Sequence, residues 1–449
     1  MFSYRRYFQP GTFLANVAIL ATWGLVAQVM NLVITPVLTR LYSPQDFGVY
    51  ALFSNTALTL GVIAGLRYEF AIVLPENERE AIRVAWLTLL LALAVGIVSV
   101  ILAVTGVGAS AVTALRMREL APYVIWIAPA LALTGAYSVL TYWAIRNKAY
   151  AHLAQSKLVI SIVMAGCQLL LAFGGHRSSD GLIAGMVVGL IAGTAFLATL
   201  TRFPRPETLA LSPLWAAGRR YAHFPKYSAI GSLLDGLSAL LPVAFLTAVF
   251  SPTIGGLFAV ADRVMRMPSV LLGSSLTQVF YQKIAESRRD PGRCAALIAR
   301  TWTRLALVGA VPMLIVMVAG PTIFAFVLGP QWRTSGEYAR ILSVGLFVHF
   351  IAYPTSNGIV AFERLGIMLT WQLLMITSIV AVFLASEFLF HDSVKATLWL
   401  FSGSLALVYG ASLAAQWHVV RSAAREPARR RASGRLEQAA VRDGGAGVV

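Results

Sequence analysis

The sequence predicts an all-α polytopic membrane protein, with about twelve transmembrane helices in two six-helix lobes. The first observation is composition: 58% of residues are hydrophobic and 12% are charged, whereas soluble domains carry roughly 25% charged residues. The second is a series of apolar runs that each approach the roughly 20 residues a helix needs to cross a bilayer. The third is an internal repeat that divides the chain into similar halves. Since lipid offers no partner to backbone N–H and C=O groups, every span should be helical.

The apolar runs follow one another almost without interruption. The first run, 13–35, is longer than the hydrophobic region of a typical signal peptide and leads directly into further runs, so we interpret it as retained. The predicted spans are 13–35, 46–66, 82–104, 120–143, 155–173, 181–200, 227–249, 254–279, 305–328, 339–361, 367–388 and 395–419.

Basic residues are distributed unevenly between the two sides of this arrangement. With the N-terminus inside, the cytoplasmic segments hold 27 Lys and Arg residues and the outer loops hold seven. This is the positive-inside pattern of bacterial membrane proteins, and it places both termini in the cytoplasm. The net charge of +17 therefore indicates contact with anionic phospholipids rather than with nucleic acid.

The chain repeats itself at an offset of 208 residues. The segment LTRLYSPQDFGVYA at 38–51 aligns with LTAVFSPTIGGLFA at 246–259, and both place Ser-Pro in the turn between two spans. Because each half contains an even number of spans, the halves share one topology and are related by a pseudo-two-fold axis along the membrane normal. Chance similarity of two Ser-Pro turns is the alternative.

The repeat and the composition together divide the chain into four segments. We predict an N-terminal lobe over 1–200, a cytoplasmic linker over 201–226 and a C-terminal lobe over 227–420. Residues 421–449 are rich in Arg, Ala and Gly without apolar periodicity, which predicts a disordered basic tail.

The motifs of common membrane enzymes are missing from the sequence. It contains no GxxxxGK[ST] phosphate-binding loop and no HExxH or Cys/His cluster, and its two cysteines are far apart; we therefore expect no ATPase, metal or other cofactor. The longest predicted outer loop, 105–119, offers only Arg116, Arg118 and Glu119 as charged groups. Transport is thus favoured over catalysis.

Four ionisable residues lie within spans 7 and 8: Asp235, Asp262, Arg263 and Arg266. A charge at the centre of a membrane helix costs about 2.5–3.5 kcal/mol on insertion scales, which makes each a functional candidate. Helical spacing predicts that Asp235 meets Arg266 with support from Asp262, while Arg263 faces a cavity. A cluster that only holds the helices together is the alternative.

Further polar candidates are more ambiguous. Asn55 is the repeat partner of Arg263 at the 208 offset, and Asn31 lies in span 1; for either one, an interhelical hydrogen bond is favoured over a role in the site. Arg67 and Glu69 at the inner end of span 2 are further site candidates, and an ordinary pair that extends to the membrane surface explains them equally well.

Two stretches of sequence carry a family resemblance. LTRLYSPQDFGVYALF together with LRYEFAIVLPEN (66–77) resembles the N-terminal signature of bacterial oligosaccharide-lipid flippases, which export O-antigen, exopolysaccharide and capsule repeat units. FPKYS (224–228) and SPTIGGLFAVADRVMRMPSVLLGSSLTQVF (251–280) resemble their second-half signature. The ADR…P core also resembles the peptidoglycan-precursor flippase of the same multidrug/oligosaccharidyl-lipid/polysaccharide superfamily, which differs by having fourteen spans and a cavity arginine where this chain has Asn55.

The resemblance implies a two-lobed transporter in the bacterial inner membrane that works by alternating access. Its substrate would be an oligosaccharide on undecaprenyl diphosphate, carried from the cytoplasmic to the periplasmic leaflet, and polysaccharide polymerase and assembly proteins would be partners. Arg263 and Arg266 would neutralise the diphosphate, since Arg binds phosphate oxygens with two parallel hydrogen bonds.

Two other functions remain open at this point. One is a drug exporter of the same superfamily that is coupled to H⁺ or Na⁺ through Asp235. The other is a membrane scaffold for polysaccharide assembly that transports nothing itself.

Overall fold

The chain folds into a bundle of long helices joined mostly by short connections. The structure is a computed structural model that describes residues 13–204, 210–287, 290–356, 365–389 and 393–444. All regular elements among these residues are helical. The α-helices are α1 (Phe13–Leu41), α2 (Pro44–Ala64), α3 (Glu78–Val104), α4 (Val107–Ala114), α5 (Val124–Arg146), α6 (Tyr150–Phe173), α7 (Ser179–Thr201), α8 (Leu211–Arg220), α9 (Ala229–Val249), α10 (Pro252–Ser287), α11 (Pro291–Leu328), α12 (Arg333–Ala352), α13 (Leu365–Leu389) and α14 (Val394–Gly444).

Twelve of these helices are long, and they occur where the apolar runs predict spans; α4 and α8 are the short exceptions. Within the described residues, nine segments are long and apolar enough to cross a membrane by length and composition alone. Helices α1, α10 and α12 are outside that set, and α10 carries Asp262, Arg263 and Arg266. Several helices are longer than the predicted spans, as in α11, which begins at Pro291 rather than near 305.

Local sequence explains where key helices begin. Ser43 caps α2 in a reciprocal capping box with Asp46, and Pro44 occupies the first turn, where its missing N–H leaves no bond unmade. Asn77 caps α3 by accepting a hydrogen bond from the backbone N–H of Arg79, and Asp290 caps α11 through the N–H of Arg293. The turns that reverse the chain are therefore specified by ordinary capping residues.

The 208-residue repeat is visible where the two lobes touch. A Cβ atom on Gly48 would collide with the carbonyl oxygen of Pro252, and a Cβ on Gly256 would collide with that of Pro44. At the 208 offset, Gly48 corresponds to Gly256 and Pro44 corresponds to Pro252. The two contacts between α2 and α10 are therefore equivalent, as expected where helices related by a two-fold axis cross. The observed fold is thus the predicted all-α bundle of two lobes.

Connections alternate between two ends of the bundle. We call the end with the α2–α3, α5–α6 and α7–α9 connections the basic end, because the sequence concentrates Lys and Arg there. At the opposite end the lobes are joined by hydrogen bonds to backbone oxygens: Thr39 donates to Leu328 over 3.0 Å, and Trp332 Nε1 donates to Thr39 over 2.7 Å. Trp332 is fully buried there.

The linker contains a helix, and the tail differs from the sequence-based expectation. Residues 211–220 of the linker form α8, whose Arg220 pairs with Glu80 at 2.8 Å. Helix α14 continues to Gly444, so residues 421–444 are helical where we predicted disorder, and 445–449 lie outside the described residues. Ala, Arg, Glu and Gln have high helix propensity, and a helix that is already nucleated extends at little cost.

Candidate functional site

Arg263 lies on the face of α10 that is directed towards the other lobe. It follows Gly256 by seven residues, or two helical turns, and Gly256 touches Pro44 of α2; residues at this spacing share one helix face. Tyr50 of α2 is close enough to interact electrostatically with Arg263. We refer to the sides of α2 and α10 marked by Gly48 and Gly256 as the interlobe faces.

The Arg263 guanidinium is exposed and unpaired. Among the described residues it forms neither an ion pair nor a hydrogen bond, although its α10 neighbours Ala261 and Met265 are buried. A permanently charged group within an apolar helix normally acquires a partner, because desolvating it alone is costly. Arg263 therefore borders the space between the lobes and is available to an anion.

Asn55 occupies the equivalent place on α2. It follows Gly48 by seven residues, is partly exposed, and has no hydrogen-bond partner in the described part of the chain. The structure therefore places Asn55 and Arg263 on facing helices, two turns from the same crossing point.

Arg266, by contrast, is paired. Its Nε donates to both carboxylate oxygens of Asp262 at 2.8 Å, and both side chains are less than one-third exposed. Tyr409 of α14 and His349 of α12 also interact with Arg266, and the two rings meet edge to face with centroids 4.7 Å apart. This cluster lies inside the C-terminal lobe.

The predicted ion pair between Asp235 and Arg266 is wrong. Asp235 instead accepts a hydrogen bond of 3.0 Å from Nε2 of Gln372 on α13, while Arg266 binds Asp262. Rise per residue predicts depth along a helix. The direction of the two side chains around the helix axis depends on how α9 and α10 are rotated against their neighbours, which the sequence does not encode locally.

A second polar cluster bridges the lobes nearer the basic end. Arg67, just beyond α2, donates from Nε to Ser232 of α9 at 2.8 Å, and it interacts electrostatically with Asp235 one turn further along α9. Arg67, Ser232, Asp235 and Gln372 therefore form a chain of contacts from the N-terminal lobe into the C-terminal lobe.

Arg67 is held in place from several directions. Leu66 and Arg67 both have left-handed backbones, with φ of 49° and 62°, a conformation that non-glycine residues seldom adopt. The guanidinium lies 4.8 Å from the Phe70 ring centroid and 3.3 Å from Glu69 Oε1. Glu69 is only 2% exposed, and burial raises the pKa of its carboxyl while Arg67 opposes that shift. The pair is thus built into the protein, which favours a site role over the alternative of an ordinary surface pair.

The remaining candidate, Asn31, lies at an interhelical contact. Its Nδ2 donates to Ser161 of α6 at 3.4 Å, and its Oδ1 has no partner in the described structure. Asn31 is therefore not brought into the Asp235 or Arg266 clusters. Ser232 and Tyr409 belong to those clusters but carry no sequence signal, since a lone Ser or Tyr in a span is usually a packing residue.

Comparison with protein families identifies the broad role of the chain. Residues 37–337 match the model of the family described as polysaccharide biosynthesis protein, which is more than half of the chain. The chain belongs to this family. Comparison with curated proteins gave no sequence match.

Solved structures with the same fold are transporters of the MOP superfamily. The lipid II flippase MurJ in an inward closed conformation is 10% identical with a TM-score of 0.67, and the match covers 90% of each chain. An inward-facing multidrug resistance MATE family transporter is 14% identical with a TM-score of 0.61, covering 90% of this chain and 95% of the other. A MOP superfamily transporter from Pyrococcus furiosus is 12% identical with a TM-score of 0.56, covering 91% and 95%. At these identities the comparison establishes the two-lobed fold.

Proposed function

We propose that this protein is a flippase for polysaccharide repeat units linked to undecaprenyl diphosphate, which it moves from the cytoplasmic to the periplasmic leaflet of the bacterial inner membrane. Membership of a polysaccharide biosynthesis family supports the pathway. The unpaired guanidinium of Arg263 on the interlobe face supports the substrate class, because an anionic head group needs a counter-charge to enter an apolar bundle.

The two lobes suit alternating access. At the opposite end they are joined by the glycine crossing and by backbone hydrogen bonds, and towards the basic end by the Arg67–Ser232 contact. Rocking of the lobes about these contacts would expose Arg263 to each side in turn. With the basic end in the cytoplasm, as the positive-inside rule requires, the substrate would enter at the Arg67 cluster. The prenyl chain would remain in lipid.

Transport of fluorescent undecaprenyl-diphosphate-linked sugar in proteoliposomes tests this function. We expect Arg263→Ala to abolish flipping. Arg263→Lys should retain part of the rate, because it keeps the positive charge but replaces a guanidinium that can donate two parallel hydrogen bonds with a single ammonium group. The matched control is Arg333→Ala, which removes an exposed arginine from the start of α12.

Each other outcome of this assay has a definite meaning. Equal flipping by the wild type and Arg263→Ala would remove Arg263 from the site. If the wild type does not flip the lipid and export in cells survives Arg263→Ala, the protein is a scaffold instead.

A second candidate function is a cation-coupled drug exporter, and the exposed carboxylate of Asp235 favours it. Asp235 would then bind H⁺ or Na⁺ beside Gln372. Efflux of cationic dyes that depends on an ion gradient, without any effect on surface polysaccharide, would support this function over the flippase.

A further inference from the structure

Lys157 lies on the inward face of α6. It shares one helix face with Ser161, Met164 and Gln168, since the spacings are four, three and four residues. Ser161 contacts Asn31 of α1, Met164 contacts the Tyr50 hydroxyl of α2, and the Gln168 carbonyl accepts from Tyr42. The stripe therefore faces the helices that line the centre of the N-terminal lobe.

The opposite face of α6 is the outer one. Its large apolar side chains, Ile162, Leu170 and Phe173, are between 55% and 75% exposed, as expected of residues that contact lipid. Lys157 is exposed too, yet it points about 180° away from them. Its ammonium group therefore borders a space inside the bundle rather than the bilayer.

No acidic side chain in the described part of the chain neutralises Lys157. It takes part in no ion pair or hydrogen bond within the described residues, and the sequences of α1, α5 and α6 contain no Asp or Glu. Two acids near the basic end of this lobe are already paired, Glu69 with Arg67 and Glu80 with Arg220. An unpaired ammonium in such surroundings is costly, and an anionic ligand would offset that cost.

Depth along α6 relates Lys157 to Arg263. Tyr50 of α2 contacts Met164 and lies two residues, about 3 Å, beyond the Gly48 crossing, whereas Arg263 lies seven residues, about 10 Å, beyond the Gly256 crossing. Lys157 precedes Met164 by seven residues, which is about 10 Å at 1.5 Å per residue. Since α6 begins at the basic end, Lys157 lies slightly nearer to that end than Arg263 does, and in the other lobe.

We propose that Lys157 is a second anion-binding residue for the diphosphate head group of a polyprenyl lipid, reached from the basic end before Arg263. This proposal rests on the proposed flippase function. The head group would bind Lys157 on the N-terminal lobe and then pass to Arg263 on the C-terminal lobe. The N-terminal lobe thereby supplies from α6 the cation that Asn55 does not supply from α2.

The test measures binding of undecaprenyl diphosphate, undecaprenyl monophosphate and uncharged undecaprenol to the full chain in zwitterionic nanodiscs. We expect Lys157→Met to weaken binding of the diphosphate about tenfold, as loss of one charged hydrogen bond implies. Lys157→Arg should stay within about threefold of the wild type. The matched control is Lys148→Met, which removes an exposed lysine from the α5–α6 turn. Lys157→Met should melt no earlier than the wild type, because it removes an unpaired charge.

Two results would overturn the proposal for Lys157. In the first, Lys157→Met binds the diphosphate as tightly as Lys148→Met does, while Arg263→Ala binds it more weakly. That result would reject the role of Lys157 and leave the flippase function standing. The other is an equal effect of Lys157→Met on binding to phosphatidylglycerol nanodiscs, which would assign the lysine to bulk anionic lipid. If the wild type binds undecaprenyl diphosphate no better than undecaprenol, the proposed function itself fails.

Discussion

The two lobes share a scaffold but not a charge pattern. Gly48 and Gly256 occupy equivalent places in the repeat, and each lets its helix touch the backbone of the other lobe. Two turns further along the same helix faces, α2 carries the neutral Asn55 and α10 carries the cationic Arg263. The partners of Asp262 and Arg266 at the 208 offset are Ser54 and Leu58. The crossing is therefore duplicated, while the ion pair and the free arginine belong to the C-terminal lobe alone.

This difference separates two requirements. Close approach of backbones about a two-fold axis demands glycine on both helices, because any Cβ would collide. A binding site for one asymmetric molecule has no such demand, and identical charges facing each other would repel. The shared positions should therefore control how the lobes meet, and the unshared ones should control what is bound.

The largest effect on stability is expected from Asp262→Ser, which installs the residue of the N-terminal repeat. Arg266 would lose its ion-pair partner in a mostly buried cluster, and breaking a buried pair costs roughly 3–5 kcal/mol. Melting temperature in detergent and protein level in membranes measure the loss. The double variant Asp262→Ser with Arg266→Leu should recover most of it, since both charges are then gone. A double variant less stable than the single one would show that the pair has a role beyond mutual neutralisation.

An intermediate and symmetric effect is expected at the glycine crossing. Gly48→Ala and Gly256→Ala should each destabilise the closed opposite end by about 1–3 kcal/mol, as for other overpacked contacts. Cross-linking of introduced cysteines between the α1–α2 and α9–α10 turns would report the opening. Gly166→Ala and Gly410→Ala are matched controls, because nothing lies within 4 Å of a Cβ at either position. A strong effect at only one of the two crossing glycines would contradict the symmetry of the interface.

The smallest effect on stability, below about 1 kcal/mol, is expected from Asp235→Asn, because an amide can still bond the Gln372 side chain. Its informative readout is coupling: if Asp235 carries a proton during the cycle, the variant should lose the response of flipping to an imposed pH gradient. An unchanged gradient response in Asp235→Asn proteoliposomes would limit Asp235 to an architectural role.

Sequence alone predicts the fold well, because hydrophobic length and repeat spacing act locally along each helix. The same spacing separates Arg263 from the Asp262–Arg266 pair, since residues one and four positions apart have fixed directions on a helix. The partner of Asp235 was not predictable, because Gln372 is 137 positions away and helix rotation is set by packing of the whole lobe. The position of Lys157 was not predictable for a different reason. It lies two turns from the start of α6, where a lysine is interpreted as a charge at the membrane surface unless the direction of its side chain around the helix is known.

Helix α8 has a mechanical consequence for movement of the lobes. Arg220 forms an ion pair with Glu80, and the Tyr221 hydroxyl donates a hydrogen bond to the same carboxylate. The Tyr68 hydroxyl donates to the Gly218 carbonyl. These contacts attach α8 to the N-terminal lobe. Only residues 222–228 remain between this anchorage and α9, and five of them form the π-helical turn Phe224–Ser228. Seven residues reach about 25 Å even when fully extended. The tether between the lobes is thus short, and it limits how wide a gap at the basic end can become during each cycle.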